Sequence, residues 1–205
     1  MRLLRATACC AALMCSAGVG WGADGDSPSL RAAHLVSAVC STCHRSPPAS
    51  SPALVPTLAG QHKTYLVWQL RAYRFGFRDD PQAHDRMWSP AAKADDALIE
   101  ALAEHYAAQA PAPGTPGDAA LIARGEALYA SGVPARRIAD CASCHGPAAG
   151  GNGMFPRLAG QRADYLVREI SLIQLHLRNI GIMHSTVEGL SDDDIKALAA
   201  YLQSL

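Results

Sequence analysis

The chain has 205 residues, 18 basic and 18 acidic side chains, a formal net charge of zero and a mean hydropathy of +0.03. That balance excludes an electrostatic nucleic-acid binder, which needs a clustered excess of Lys and Arg. Length alone allows one or two domains.

At the start of the chain, Arg2 and Arg5 precede a mostly apolar run from Ala6 to Val19, and the small residues Gly20, Gly22 and Ala23 follow. This charged, apolar, small-residue order predicts a secretory signal peptide over residues 1–23 and an exported mature protein. The run is short for a membrane anchor, and no later apolar stretch reaches spanning length. Losing the leader removes two Arg and no acid, leaving 16 basic against 18 acidic side chains.

Of seven Cys, Cys9, Cys10 and Cys15 fall in the leader and the other four in two copies of one pentapeptide, so no thiol is left for a disulfide. The first copy is Cys40-Ser41-Thr42-Cys43-His44 and the second Cys141-Ala142-Ser143-Cys144-His145. Two thiols three positions apart can add to the two vinyl groups of one porphyrin, while the next residue offers an imidazole to the iron. A redox dithiol or half of a zinc site are the blander readings of Cys-x-x-Cys. The His in both copies argues against them, as does the spacing of about a hundred residues between the pairs. The sequence therefore predicts two covalently attached haem c groups, held by Cys40 and Cys43 and by Cys141 and Cys144, with His44 and His145 as iron ligands.

The duplication extends past the motifs. Pro56-Thr57-Leu58-Ala59-Gly60-Gln61 recurs as Pro156-Arg157-Leu158-Ala159-Gly160-Gln161, and Tyr65-Leu66-Val67 as Tyr165-Leu166-Val167. Helical spacing predicts a middle helix in each half, from near Gln61 through Leu66, Leu70 and Tyr73, and from near Gln161 through Leu166, Ile170, Ile173 and Leu177. Trp68 and Trp88 read as packing residues, not as electron relays. Met87 and Met183 each lie twelve residues before the matched Ile99 and Ile195, which marks them as the sixth iron ligands. A thioether favours ferrous iron and raises the potential relative to a second imidazole. His84 and His184 are the competing ligands, but their offsets from the Met do not match. His34, His62, His105 and His176, without a repeated counterpart, read as ordinary partly exposed residues.

Between the halves, Pro111, Pro113 and Pro116 cannot continue a helix and predict an extended linker. The expected division is a first domain at 24–108, a linker at 109–118 and a second domain at 119–205. The last helix is expected from Asp192 to about Gln203, with Ser191 as N-cap and Asp194 three residues on. The Gly125, Tyr129 and Tyr201 pattern resembles the crossed terminal helices of class I cytochromes c, which implies that Gly125 lets the first and last helices of the second half approach closely, with Ala32 in its place in the first half.

On both pentapeptides, the two Pro-x-Leu-Ala-Gly-Gln segments, Met183 upstream of Leu190-Ser191-Asp192-Asp193-Asp194-Ile195 and the signal-like leader, the chain resembles the bacterial two-haem cytochrome c4 family. The resemblance implies an all-α fold of two tandem class I cytochrome c domains, each built around a covalent haem. It also implies a periplasmic electron carrier, not an enzyme, that serves a respiratory-chain donor and a terminal oxidase. A haem subunit of a periplasmic dehydrogenase stays open as an alternative, as does peripheral association with the membrane; a two-haem peroxidase is disfavoured because paired Met ligands leave no open iron position. The first half departs from the pattern at Ala94-Asp95-Asp96-Ala97-Leu98 and at Arg45, where the second half has Gly146.

Overall fold

The computed structural model describes residues 27–44 and 54–205; the expected signal peptide and the Pro/Ser-rich loop after the first pentapeptide lie outside the described residues. Among the described residues, nine α-helices form two similar sets and the only β-pairing is two isolated bridges, Val133 with Ile138 and Asn152 with Phe155.

In the first half, α1 (Pro28–Ala38) starts at Ser27, whose side chain accepts from Leu30 N–H, and has Pro28 where the first helical N–H needs no partner. After α2 (Lys63–Arg74) and α3 (Pro81–Ala92), α4 (Asp96–Ala107) begins at Asp95, which accepts from Leu98 N–H at 2.7 Å. Helix α1 packs on α4, α2 on α4, and α3 on α2. Ala32, Val36, Leu66, Leu98, Ile99, Leu102 and Tyr106 make the core between them.

The second half repeats this plan with α5 (Ala119–Ser131), the one-turn α6 (Ala142–His145), α7 (Ala163–Gln174), α8 (Gly181–Val187) and α9 (Asp192–Ser204). Ser191 and Asp194 form the expected reciprocal capping box of α9. The α5–α9 crossing depends on Gly125: a Cβ there would sit 2.0 Å from the Ala197 carbonyl oxygen. Ala32 is 1% exposed at the matching place.

The middle helices begin near Gln61 and Gln161 as expected, at Lys63 and Ala163, but α7 ends at Gln174 because His176 takes a left-handed φ of 56°. That leaves Leu177 outside the core at 48% exposure. Trp68 and Trp88 are left 40% and 48% uncovered by protein, and Trp88 stacks on His84.

The segment from Ala110 to Asp118 has no helix, as its prolines require, yet it is no free spacer. It threads between the two Ala-Gly-Gln turns: Pro111 closes on Gly60, Ala112 on Gly160 and Gly114 on Ser204. Thr115 N–H donates to the Gln203 carbonyl at 2.8 Å.

Candidate functional site

Each pentapeptide is one helical turn. His44 N–H donates to the Cys40 carbonyl at 2.8 Å, and His145 N–H to the Cys141 carbonyl at 2.9 Å. Residues i, i+3 and i+4 share a helix face, so each turn presents two thiols and an imidazole together. In the first half the turn is pinned by Thr42 Oγ1, which donates to the Val39 carbonyl at 2.7 Å. In the second, Asp140 accepts from Ser143 N–H at 2.7 Å, and Cys141 N–H is anchored on the Tyr129 carbonyl at 2.9 Å.

Both imidazoles are oriented alike. Nδ1 of His44 lies 3.0 Å from the Pro56 carbonyl and Nδ1 of His145 lies 3.0 Å from the Pro156 carbonyl. A proton held there fixes the tautomer whose Nε2 lone pair is free for a metal. Burial lowers the pKa of both rings, opposed in part by the same carbonyls, so both favour the neutral form that can ligate. The repeated Pro-x-Leu-Ala-Gly-Gln segment thus begins by supplying the carbonyl that orients each His.

Met87 is half-buried on α3 and Met183 half-buried on α8, both on helices that follow the middle helix of their half. The competitor His184 places Nδ1 2.7 Å from the Ile173 carbonyl, while Nε2 lies 3.4 Å from Asn179 Oδ1. It also stacks on the exposed His176 at 4.1 Å between ring centroids.

The second half of the repeated segment joins the two halves. Gln61 exchanges two hydrogen bonds with the backbone of Arg157, and Gln161 exchanges two with the backbone of Thr57. His62, expected to be an ordinary partly exposed residue, reaches the Gly150 carbonyl at 2.9 Å in the loop after the second pentapeptide.

Beside this clasp lies a buried charged lattice. Arg78 donates to Asp80 at 2.9 Å, to Gln69 at 2.6 Å and to Glu169 at 3.2 Å. Arg178 donates to Glu169 at 2.6 Å and to Tyr65 at 3.1 Å, and Arg168 closes on Asp80 at 3.5 Å. Three guanidinium groups thus face two carboxylates. Gln69 Nε2, Arg157 Nε and Arg178 Nε remain buried donors with no partner among the described residues. The residues present therefore fit a haem c group: paired thiols, an imidazole with a free Nε2 and a soft thioether in each half, with buried cationic donors of the kind a haem carboxylate accepts from.

The comparisons agree. A family model described as Cytochrome c matches residues 122–205. The chain is 36% identical over 173 residues to cytochrome c4 of Thiocapsa roseopersicina, covering 82% of this chain and 87% of that protein. The chain belongs to the cytochrome c4 family.

Two further relatives are cytochrome c-552 of Acidithiobacillus ferridurans, 36% identical over 192 residues (93% of this chain, 81% of that protein), and a thiosulfate dehydrogenase electron acceptor of Thiomonas intermedia, 33% identical over 209 residues (98% and 90%). Among solved structures, Acidithiobacillus ferrooxidans cytochrome c4 superposes with a TM-score of 0.77 at 36% identity, covering 81% of this chain and 98% of that one. Reduced Pseudomonas stutzeri cytochrome c4 gives 0.74 at 30% identity, with coverage of 86% and 98%. As a cytochrome c4 family member the chain binds haem c covalently and carries electrons. The lattice of Arg78, Glu169 and Arg178 was missed in the sequence. Its signal was available in the hundred-residue offset that pairs Arg78 with Arg178 and Gln69 with Glu169.

Proposed function

We propose that the mature protein is a periplasmic carrier with two haem c groups, exported by the leader at residues 1–23. In this reading Cys40, Cys43, His44 and Met87 hold the first group, and Cys141, Cys144, His145 and Met183 the second. The domain division is the one read from the repeat, at 24–108 and 119–205. The observation that carries this is the repeated turn, in which each His has its Nδ1 on a prolyl carbonyl and its Nε2 free.

When bound, each haem supplies a one-electron couple whose potential depends on axial ligand, hydrogen bonding and burial. The chain's own residues do the rest. The prolyl carbonyls fix the imidazoles, so a change of charge finds ligands already oriented. The thioethers of Met87 and Met183 would offer soft donors that favour the reduced state. With an imidazole and a thioether each half would supply both protein ligands itself, which supports a carrier and not a peroxidase. The clasp and the buried lattice keep the two halves in one arrangement while charge changes on either side.

The partners are redox proteins: a respiratory-chain donor with a terminal oxidase, or a dehydrogenase. The second is favoured by the Thiomonas intermedia relative, which is named as an electron acceptor for thiosulfate dehydrogenase. Intact mass of the exported protein after acid-acetone extraction tests the core of the reading. Two retained haem additions on a chain lacking its leader are expected; one addition, or a retained leader, overturns it. Co-purification with partners separates a free carrier from a dehydrogenase subunit.

A further inference from the structure

Three imidazoles among the described residues share one arrangement. His44, His145 and His84 each place Nδ1 on a backbone carbonyl, at 3.0 Å from Pro56, 3.0 Å from Pro156 and 3.4 Å from Arg78, and none has a hydrogen bond at Nε2. The first two are the axial histidines of the reading above. The third lies on α3 one turn before Met87.

Helix α3 turns Ala83, His84, Met87, Pro90 and Ala91 inward, while Asp85, Arg86, Trp88 and Ser89 are exposed. His84 and Met87 therefore lie on one face, and residues three apart on a helix are neighbours at about 5–6 Å between Cβ atoms. At 3.4 Å the Arg78 carbonyl holds His84 loosely, and its other neighbour is the exposed Trp88, 6.2 Å away between ring centroids. The second half has no equivalent. His184 follows Met183 directly, about 100° around the helix, its Nδ1 lies 2.7 Å from the Ile173 carbonyl, and the position one turn before Met183 is Ile180.

We infer that His84 is a reserve axial ligand of the first haem iron, taking the position of Met87 whenever the sulfur leaves, and that the second half has no such reserve. The inference rests on the ligand assignment proposed above. In the exchange the iron–sulfur bond breaks and an iron–nitrogen bond forms from the neutral Nε2 lone pair. Nδ1 keeps its proton on the Arg78 carbonyl, and the iron's oxidation state does not change. A second imidazole lowers the potential relative to a thioether, so the exchange would shift the first couple downward.

Electron paramagnetic resonance and the sulfur-to-iron absorption band of the ferric holoprotein decide it. In Met183→Ala, half the sulfur band should be lost and a high-spin signal equal to one haem should appear. Met87→Ala should lose the other half of the band with no high-spin signal, and Met87→Ala with His84→Ala should restore a high-spin signal of one haem. A high-spin signal of one haem in Met87→Ala alone overturns the inference. Failure of the ligand assignment looks different: Met87→Ala would keep the full band, or His84→Ala alone would create the high-spin haem. If the Met87 variants do not accumulate, denaturant titration of His84→Ala against the unmodified protein serves instead. Loss of the first sulfur bond should then give a high-spin haem only in the variant, and identical spectra overturn the inference.

Discussion

The side-chain amide of Gln61 closes both of its cross-half hydrogen bonds on the backbone of one residue, Arg157, donating to its carbonyl at 2.9 Å and accepting from its N–H at 2.8 Å. Gln161 does the same to Thr57 at 3.0 Å and 2.9 Å. Gln is the one side chain of this length with both a donor and an acceptor on a planar head, so it can imitate a β-ladder partner. Two such pairs about a pseudo-twofold axis fix orientation in a way that apolar contact alone would not.

Removing one clasp strands a buried N–H and a carbonyl. Gln61→Ala and Gln161→Ala are each expected to cost about 1–3 kcal/mol. Guanidinium denaturation of the holoprotein monitored by far-ultraviolet circular dichroism checks this; midpoints unchanged in both variants would show that the clasp contributes nothing.

Glu169 accepts from both Arg78 and Arg178, and its side chain is 4% exposed. Glu169→Leu leaves two buried guanidinium groups short of an anion and should cost about 3–5 kcal/mol. Glu169→Gln, which copies Gln69 of the other half, should cost much less. Because the pair is shielded from solvent, the difference between the variants should persist in high salt, and thermal melts at low and high ionic strength measure it.

Much of this was legible in the sequence. The helical turn of each pentapeptide and the α9 capping box are local patterns that depend on a few adjacent residues. The seam was harder to read: the hundred-residue offset pairs Arg78 with Arg178 and Gln69 with Glu169, but these residues acquire meaning only when the halves face each other. The end of α7 was missed for a local reason: His176 is a non-glycine residue in a left-handed conformation, which no periodicity reveals.

Gly125→Ala should be severe. The added Cβ would lie 2.0 Å from the Ala197 carbonyl oxygen and 2.7 Å from Tyr201 Cβ, against backbone that cannot turn aside. A loss of at least about 1–3 kcal/mol is expected. The reverse change in the first half, Ala32→Gly, should cost only about 0.5–1 kcal/mol through helix propensity. Denaturation midpoints of the two variants compare the crossings directly.

Asp194 is 1% exposed. Burial alone would raise its pKa, but Arg136, Ser191 and Arg124 hold the carboxyl well below its ordinary range. A depressed folded pKa contributes stability that is complete above the unfolded value of about 3.9 and is lost as pH falls below it. Asp194→Asn should therefore cost about 2 kcal/mol near neutrality, and the gap from the unmodified protein should narrow between about pH 4 and pH 2. Thermal melts across that range test the sign; a gap that widens on acidification contradicts it.

The clasp between the halves reads only main-chain groups of residues 57 and 157. The side chains at those two positions are thereby released from any pairing rule, and they have separated into a short hydroxyl and a long cation. A duplicated chain joined through side-chain-to-side-chain pairs would need every change on one copy answered on the other. Here the Gln clasp imposes no such rule at residues 57 and 157, and the rule holds in the buried lattice, where Arg78 meets Glu169 and Arg178 meets Tyr65. Outside that lattice each half can drift toward its own charge, its own loop and its own partner without the two coming apart.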